Sequence, residues 1–281
     1  MPHIDKDEVA RIFKAHNGHG IFVAALEKVS SKEHLIKLLD LHINVLNPPF
    51  LGFSAILGGR IALCRSKFVN PAQQRIKTVA DRGINSVAER VIFAIIDEVG
   101  ERSIAGSPTH RALAQATFFG IVACMEIDTA MLNEFYESET RSRAARIVDQ
   151  IGTIYGVDQG ITEKSIWRGL GAQIAGESSA IKEFALLNNW LRRQKIAPGI
   201  VAYLEKTVRD IDNKACPAYA WPSLHIHEEI EHTAAAFVAQ ENGLAYWNGS
   251  CSCEAAEQWT WDAVNDFASA YADFMRVLLK L

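Results

Sequence analysis

A chain of 281 residues in which 49% are hydrophobic and 22% charged has ample material for a sizeable core. A formal net charge of -4, with lysine and arginine scattered rather than striped, excludes a nucleic-acid partner as the first reading. No apolar run approaches the ~20 residues of a membrane span, and the opening "MPHIDKDEVARIF" is charged where a signal peptide is apolar, so a soluble cytoplasmic protein with no membrane partner is expected.

Apolar residues recur at helical spacing almost throughout and no segment alternates convincingly as a strand, which predicts an all-α chain of about seven to nine helices in one domain. "DEVARIFKAHN" and "KEHLIKLLDLHINVL" read as helices, the second stopped by Pro48 and Pro49. "FLGFSAILGGRIALCRSKFV" reads as a buried, glycine-containing helix. "SVAERVIFAIIDEVGE" is another, ending near Gly100, in which an apolar run leads straight into Asp97 and Glu98. "SPTHRALAQATFFGIVACMEIDTAMLNEFYE" enters with Ser107 and Pro108 in the cap and first-turn positions and brings in His110.

Farther on, "ITEKSIWRGLGAQIAGESSAIKEFALLNNWLRRQ" predicts a long helix. Its middle, around Glu177, is rich in Gly, Ala and Ser, small enough for another helix to approach closely. "APGIVAYLEKTVRDI" reads as a shorter helix, and "CPAYAWP" as a loop. Phe267, Ala270, Tyr271, Phe274, Val277 and Leu278 mark a long C-terminal helix after a turn at Gly249 and Ser252. The odd, dispersed cysteines fit a reducing compartment, and Cys251 and Cys253 form a C-x-C without the second pair that a zinc site needs.

The loop leads into "HIHEEIEH", residues 225 to 232. On a helix His225, Glu229 and His232 fall at i, i+4 and i+7 and form one stripe of nitrogen, oxygen and nitrogen donors, with His227, Glu228 and Glu231 to the sides. A solvated charged face is the simpler reading. The flanking "YAWPSL" and "TAAAFVA" are apolar, however, so part of the circumference is buried, and buried ionisable groups need partners or a metal. With Glu98, His110 and Glu177 the stripe makes three carboxylates and three imidazoles, the donor set of a non-haem di-iron or di-manganese centre in a helix bundle. Glu183, and after it Glu126, are the alternatives to Glu177.

The order of these motifs, "DEVG" with Glu98, then His110, then "AGESSA" with Glu177, then "HIHEEIEH", resembles the haem-oxygenase-like di-metal oxidases, relatives of the thiaminase II and PQQ-synthesis helical folds. The resemblance covers roughly residues 40 to 280 of the 281, and its last motif is the specific one. Glu229 stands where that family commonly has Asp. The resemblance implies a single-domain helical bundle of the haem-oxygenase type, spanning residues 1–281, in which Glu98, His110, Glu177, His225, Glu229 and His232 are both metal ligands and catalytic set. It also implies two Fe2+ ions, with manganese as the alternative metal, and dioxygen as co-substrate. The reaction would be oxidation of a small molecule, an amino acid or amine, in natural-product biosynthesis. Related folds commonly pair, so a homodimer is expected.

Two other readings stand beside it: a metal-free enzyme like thiaminase II, and a non-catalytic metal-binding helical protein. Candidate walls of a substrate pocket are Phe93, Trp167, Phe184, Trp221 and Trp247, and a cationic clamp for a substrate carboxylate is sought in Arg65, Arg102 or Arg168.

Overall fold

A computed structural model describes residues 5–64, 67, 68, 87–96 and 107–281, without the side chains of Thr129, Ile226 and His227. Asp5 starts α1 (Lys6–His16) by accepting a hydrogen bond from the Asp7 amide at 2.9 Å. The helix ends at Asn17, whose φ of 57° turns the chain directly into α2 (Gly18–Lys28). Ser31 caps α3 (Lys32–Asp40), which runs without a break into a π-helical turn, Leu41–Leu46. The turn widens where the amides run out. Pro48 and Pro49 offer none to continue the ladder, and the Asn47 amide donates five residues back, to His42 O at 3.4 Å.

Pro48 therefore ends one helix and begins the next, α4 (Pro48–Leu63). Residues 87–96 are helical (α5). They are followed by α6 (His110–Met125), α7 (Thr129–Tyr136) and α8 (Glu139–Ile154). A reciprocal capping box between Thr162 and Ser165 opens α9 (Glu163–Arg193), and α10 (Ile200–Leu204), α11 (Ala220–Ala245) and α12 (Cys253–Leu279) complete the set.

The chain is an all-α bundle in which α9 lies between α11 and α12. The small residues expected to let a helix close on α9 do so at Gly171, where a Cβ would run into the Thr260 carbonyl of α12. The largest fully buried side chains include Trp167, Tyr155, Tyr271, Phe22 and Phe184, so the apolar core runs from α2 through α9 to α12. Among the described residues no helix is long and apolar enough to cross a membrane.

Several local expectations are corrected. The segment 197–211 is not one helix: α10 stops at Leu204, and β1 (Val208–Ile211) pairs antiparallel with β2 (Lys214–Pro217). The two residues between the strands, Asp212 and Asn213, both have positive φ, 55° and 62°, as a primed two-residue hairpin turn requires. An absence of any strand is thus overturned by one small hairpin. The helical run expected over 107–137 breaks at Glu126, φ 55°, and restarts after Asp128. It also opens two residues later than expected, with Thr109 rather than Ser107 as its cap. The loop "CPAYAWP" gives way to helix at Ala220, and α2 and α8 raise the helix number above that expected.

Candidate metal centre

α11 places His225, Glu229 and His232 on one inward face, each 3–4% exposed, and so buries the stripe expected from their spacing. Glu231, on the side of the helix, is exposed. The face meets Glu177 from the middle of α9 and His110 from the first turn of α6. Five of the six expected ligands therefore converge, and the sixth, Glu98, lies outside the described residues.

They converge as two groups. His110, His225 and Glu228 form one, Glu177, Glu229 and His232 the other, and in each the ligand atoms lie within 4.8 Å of one another. Glu228 corrects the expectation that it stands aside as a solvated neighbour. Its Oε2 is 3.4 Å from His110 Nε2, and its side chain is 30% exposed. The imidazoles of His110 and His225 lie with ring centroids 4.7 Å apart.

Glu229 joins the groups. One oxygen, Oε1, lies 3.9 Å from His225 Nε2, and the other, Oε2, lies 3.8 Å from His232 Nδ1. Glu177 Oε2 approaches the same His232 nitrogen to 3.7 Å. These separations are too long for good hydrogen bonds. They suit donors that share a cation, since two atoms each about 2.1 Å from one ion lie at most about 4.2 Å apart.

Neighbouring groups hold the donors in place. His225 Nδ1–H donates to Trp221 O at 2.8 Å, which leaves the Nε2 lone pair facing Glu229. Glu177 accepts a short hydrogen bond from the Gln173 amide one turn back, and Gln173 Oε1 accepts from the Ser54 hydroxyl at 2.7 Å. Phe184 stacks on His225 at 4.3 Å, and Phe93 meets His232 edge-on at 5.9 Å. Behind the carboxylates Tyr155 is fully buried. Desolvation first, then the charges of Glu177 and Glu229, push its phenol well above the usual tyrosine range, so it stays neutral.

A cavity of about 100 Å³ opens against both groups, touching His110, His225, Glu177 and Glu229. Phe184 and Trp221 line it as expected. Trp167 and Trp247 do not: they pack edge-to-face on each other at 5.1 Å, beside Phe68. Glu183, the alternative to Glu177, also lines the cavity but belongs to neither group, because His42 Nε2 holds its Oε1 at 2.6 Å. Glu126 is an exposed helix terminus. Among the arginines sought as a clamp, Arg168 pairs with Asp266 at 2.8 Å away from the cavity, and Arg65 and Arg102 lie outside the described residues. Arg111 lines the cavity instead, beside His110, where its sequence neighbourhood gave no reason to single it out.

No family model, curated protein or solved structure matches this chain.

The donor set fits a pair of metal ions. Glu229 Oε2 is buried and accepts no hydrogen bond among the described residues, and a buried anionic oxygen without a donor is costly unless a cation serves it. Mixed carboxylate and imidazole donors suit iron or manganese better than soft thiophilic metals.

Proposed function

We propose that the chain is a non-haem di-iron oxidase that uses dioxygen to oxidise a small molecule, an amino acid or amine, bound in the cavity beside the two His/Glu groups. The observation that supports this best is the division of Glu229, one oxygen toward His225 and the other toward His232, as a carboxylate bridging two ions requires. His110, His225 and Glu228 would hold one ion, and Glu177 and His232 the other, with Glu229 between them. Bound iron would supply the redox chemistry with dioxygen.

What the chain contributes is position and exclusion. Trp221 fixes the His225 tautomer, and Ser54 through Gln173 fixes the Glu177 carboxylate, so the donors need little rearrangement to bind. Phe184, Trp221 and the apolar side of the cavity keep water from a bound substrate. Tyr155, held neutral, adds no charge beside Glu177 and Glu229.

Anaerobic titration with Fe2+, read by metal analysis, tests the reading. Two ions per chain are expected by analogy with bridged carboxylate centres, followed by a transient visible absorption on admitting air. His225→Ala and His232→Ala should each abolish stable loading. A chain that binds no iron, or whose His variants load normally, would remove the proposal. Iron binding with no oxygen uptake on any amino acid or amine would leave a non-catalytic metal protein.

A further inference from the structure

Arg111 follows His110 on the first turn of α6 and lines the same cavity. Its guanidinium is tied down at one nitrogen only: Nη1 donates to Ile43 O at 3.3 Å and to Asn44 Oδ1 at 3.2 Å, both on the π-helical turn. That uses the two protons of Nη1. The Nε and Nη2 edge, which binds a carboxylate by two parallel hydrogen bonds, meets no acceptor among the described residues. The nearby carboxylate, Asp40, is already engaged, its Oδ1 accepting from Asn44 at 2.9 Å and its Oδ2 from Arg141 at 3.1 Å. Partial burial lowers the Arg111 pKa, and the charge of Asp40 opposes the shift.

Ile43, Leu46, Leu51, Ala114 and Phe184 give the cavity an apolar portion, while of its carboxylates Glu177 and Glu229 belong to the His/Glu groups and Glu183 is held by His42. A site with one fixed cationic fork, an apolar portion and carboxylates already engaged elsewhere selects an amphipathic carboxylate. Its size limits the tail: about 100 Å³ is less than the ~150 Å³ that admits benzene, which points to roughly four or five carbons.

We propose that Arg111 is the specificity residue of this cavity and grips the carboxylate of a short aliphatic acid or amino acid, leaving the hydrocarbon portion against the His110 and His225 side. This rests on the oxidase reading for its purpose and narrows its substrate class, favouring carboxylates over simple amines.

Calorimetric titration of the zinc-loaded full chain with pentanoate, pentan-1-ol and pentylamine tests it, with zinc content measured on the same samples. Pentanoate should bind about tenfold or more tighter than either of the others. Arg111→Gln should remove that preference without changing zinc content or the affinity for pentan-1-ol. Arg111→Lys, which keeps the charge but not the fork, should fall between and stands in should R111Q fail to fold. The inference is overturned by R111Q binding pentanoate within about twofold of the parent chain, by pentylamine binding as tightly as pentanoate, or by pentanoate binding no better than pentan-1-ol. Zinc content separates the two readings. A chain that takes no zinc yet keeps an Arg111-dependent preference loses the oxidase reading and retains the carboxylate site, whereas metal without the preference overturns the site alone.

Discussion

His42 Nε2 lies 2.6 Å from Glu183 Oε1 with both side chains out of water, the imidazole stacked on Phe22 and edge-on to Phe184 and Trp221. The pair joins the π-helical turn to α9 and so fixes Glu183 in the wall of the cavity. Removing either partner strands the other in a low-dielectric site. His42→Ala and Glu183→Ala should therefore each cost about 3–5 kcal/mol in urea unfolding, and replacement of both by apolar residues should cost less than the sum. Glu183→Gln should leave iron stoichiometry unchanged. Lost iron in that variant would move Glu183 into the metal centre and Glu177 out of it.

Glu228 and Glu231 flank the same stripe and make a matched pair of tests. Glu228 reaches His110, whereas Glu231 is exposed. Glu228→Gln keeps the shape and removes the charge, and it should weaken metal affinity on the order of 10–100-fold in a chelator competition, at least the effect of losing an outer partner of a ligand. Glu231→Gln should leave affinity unchanged. Equal losses in the two would mean a general electrostatic effect of the acidic face rather than coordination by Glu228.

The contrast between Glu229 and Glu228 shows what the sequence could convey. A stripe at i, i+4 and i+7 is a property of one helix, so the burial of His225, Glu229 and His232 follows from spacing and apolar flanks. Glu228 lies at the edge of that stripe and gains a role only because α6 brings His110 to it, a tertiary fact that no local pattern contains. Arg111 is hidden for the same reason, since its neighbours Ile43 and Asn44 are remote in sequence. The π-helical turn shares the apolar spacing of an ordinary helix, and its extra residue per turn is set by Pro48, Pro49 and the anchorage of His42. Other signals were local: Ala144, Ile147, Val148 and Ile151 have helical spacing along α8, and Asp212-Asn213 is a turn dipeptide that tolerates positive φ.

Two glycines separate close packing from conformational freedom. Gly171 faces the Thr260 backbone of α12, which cannot swing aside, so Gly171→Ala should destabilise by about 1–3 kcal/mol through forced separation of α9 and α12. Gly52 lies within α4 with open space where a Cβ would stand, and Gly52→Ala should stabilise by about 0.4–1 kcal/mol by restricting the unfolded chain. Chemical denaturation of both variants checks the pair. A neutral Gly171→Ala would mean that the helices can part without loss.

Glu163 supplies a pH-dependent contribution far from the metal centre. Its Oε1 accepts from Lys67 Nζ at 2.7 Å and the Ser250 amide at 2.8 Å, and its Oε2 from the Ser250 hydroxyl and the Cys251 amide, both at 2.8 Å. These bonds staple the start of α9 to the turn before α12. Desolvation alone would raise the carboxyl, but the hydrogen bonds from Lys67, Ser250 and Cys251 together overcome it and hold the pKa at about 2, below the ordinary 4.5. A depressed folded-state pKa gives stability that is fully present above about 4.5 and is lost as pH falls toward about 2. Near the surface, solvent screening trims the worth of the staple to about 1–2 kcal/mol. Glu163→Gln should therefore be less stable than the parent by that amount at neutral pH, and the gap should narrow once the parent carboxylate takes up a proton. Urea midpoints of both chains, compared in chelator so that protonation of the His/Glu groups cancels, should converge between pH 4.5 and pH 2. A gap as wide near pH 2 as at neutrality would show that the staple acts through shape rather than charge.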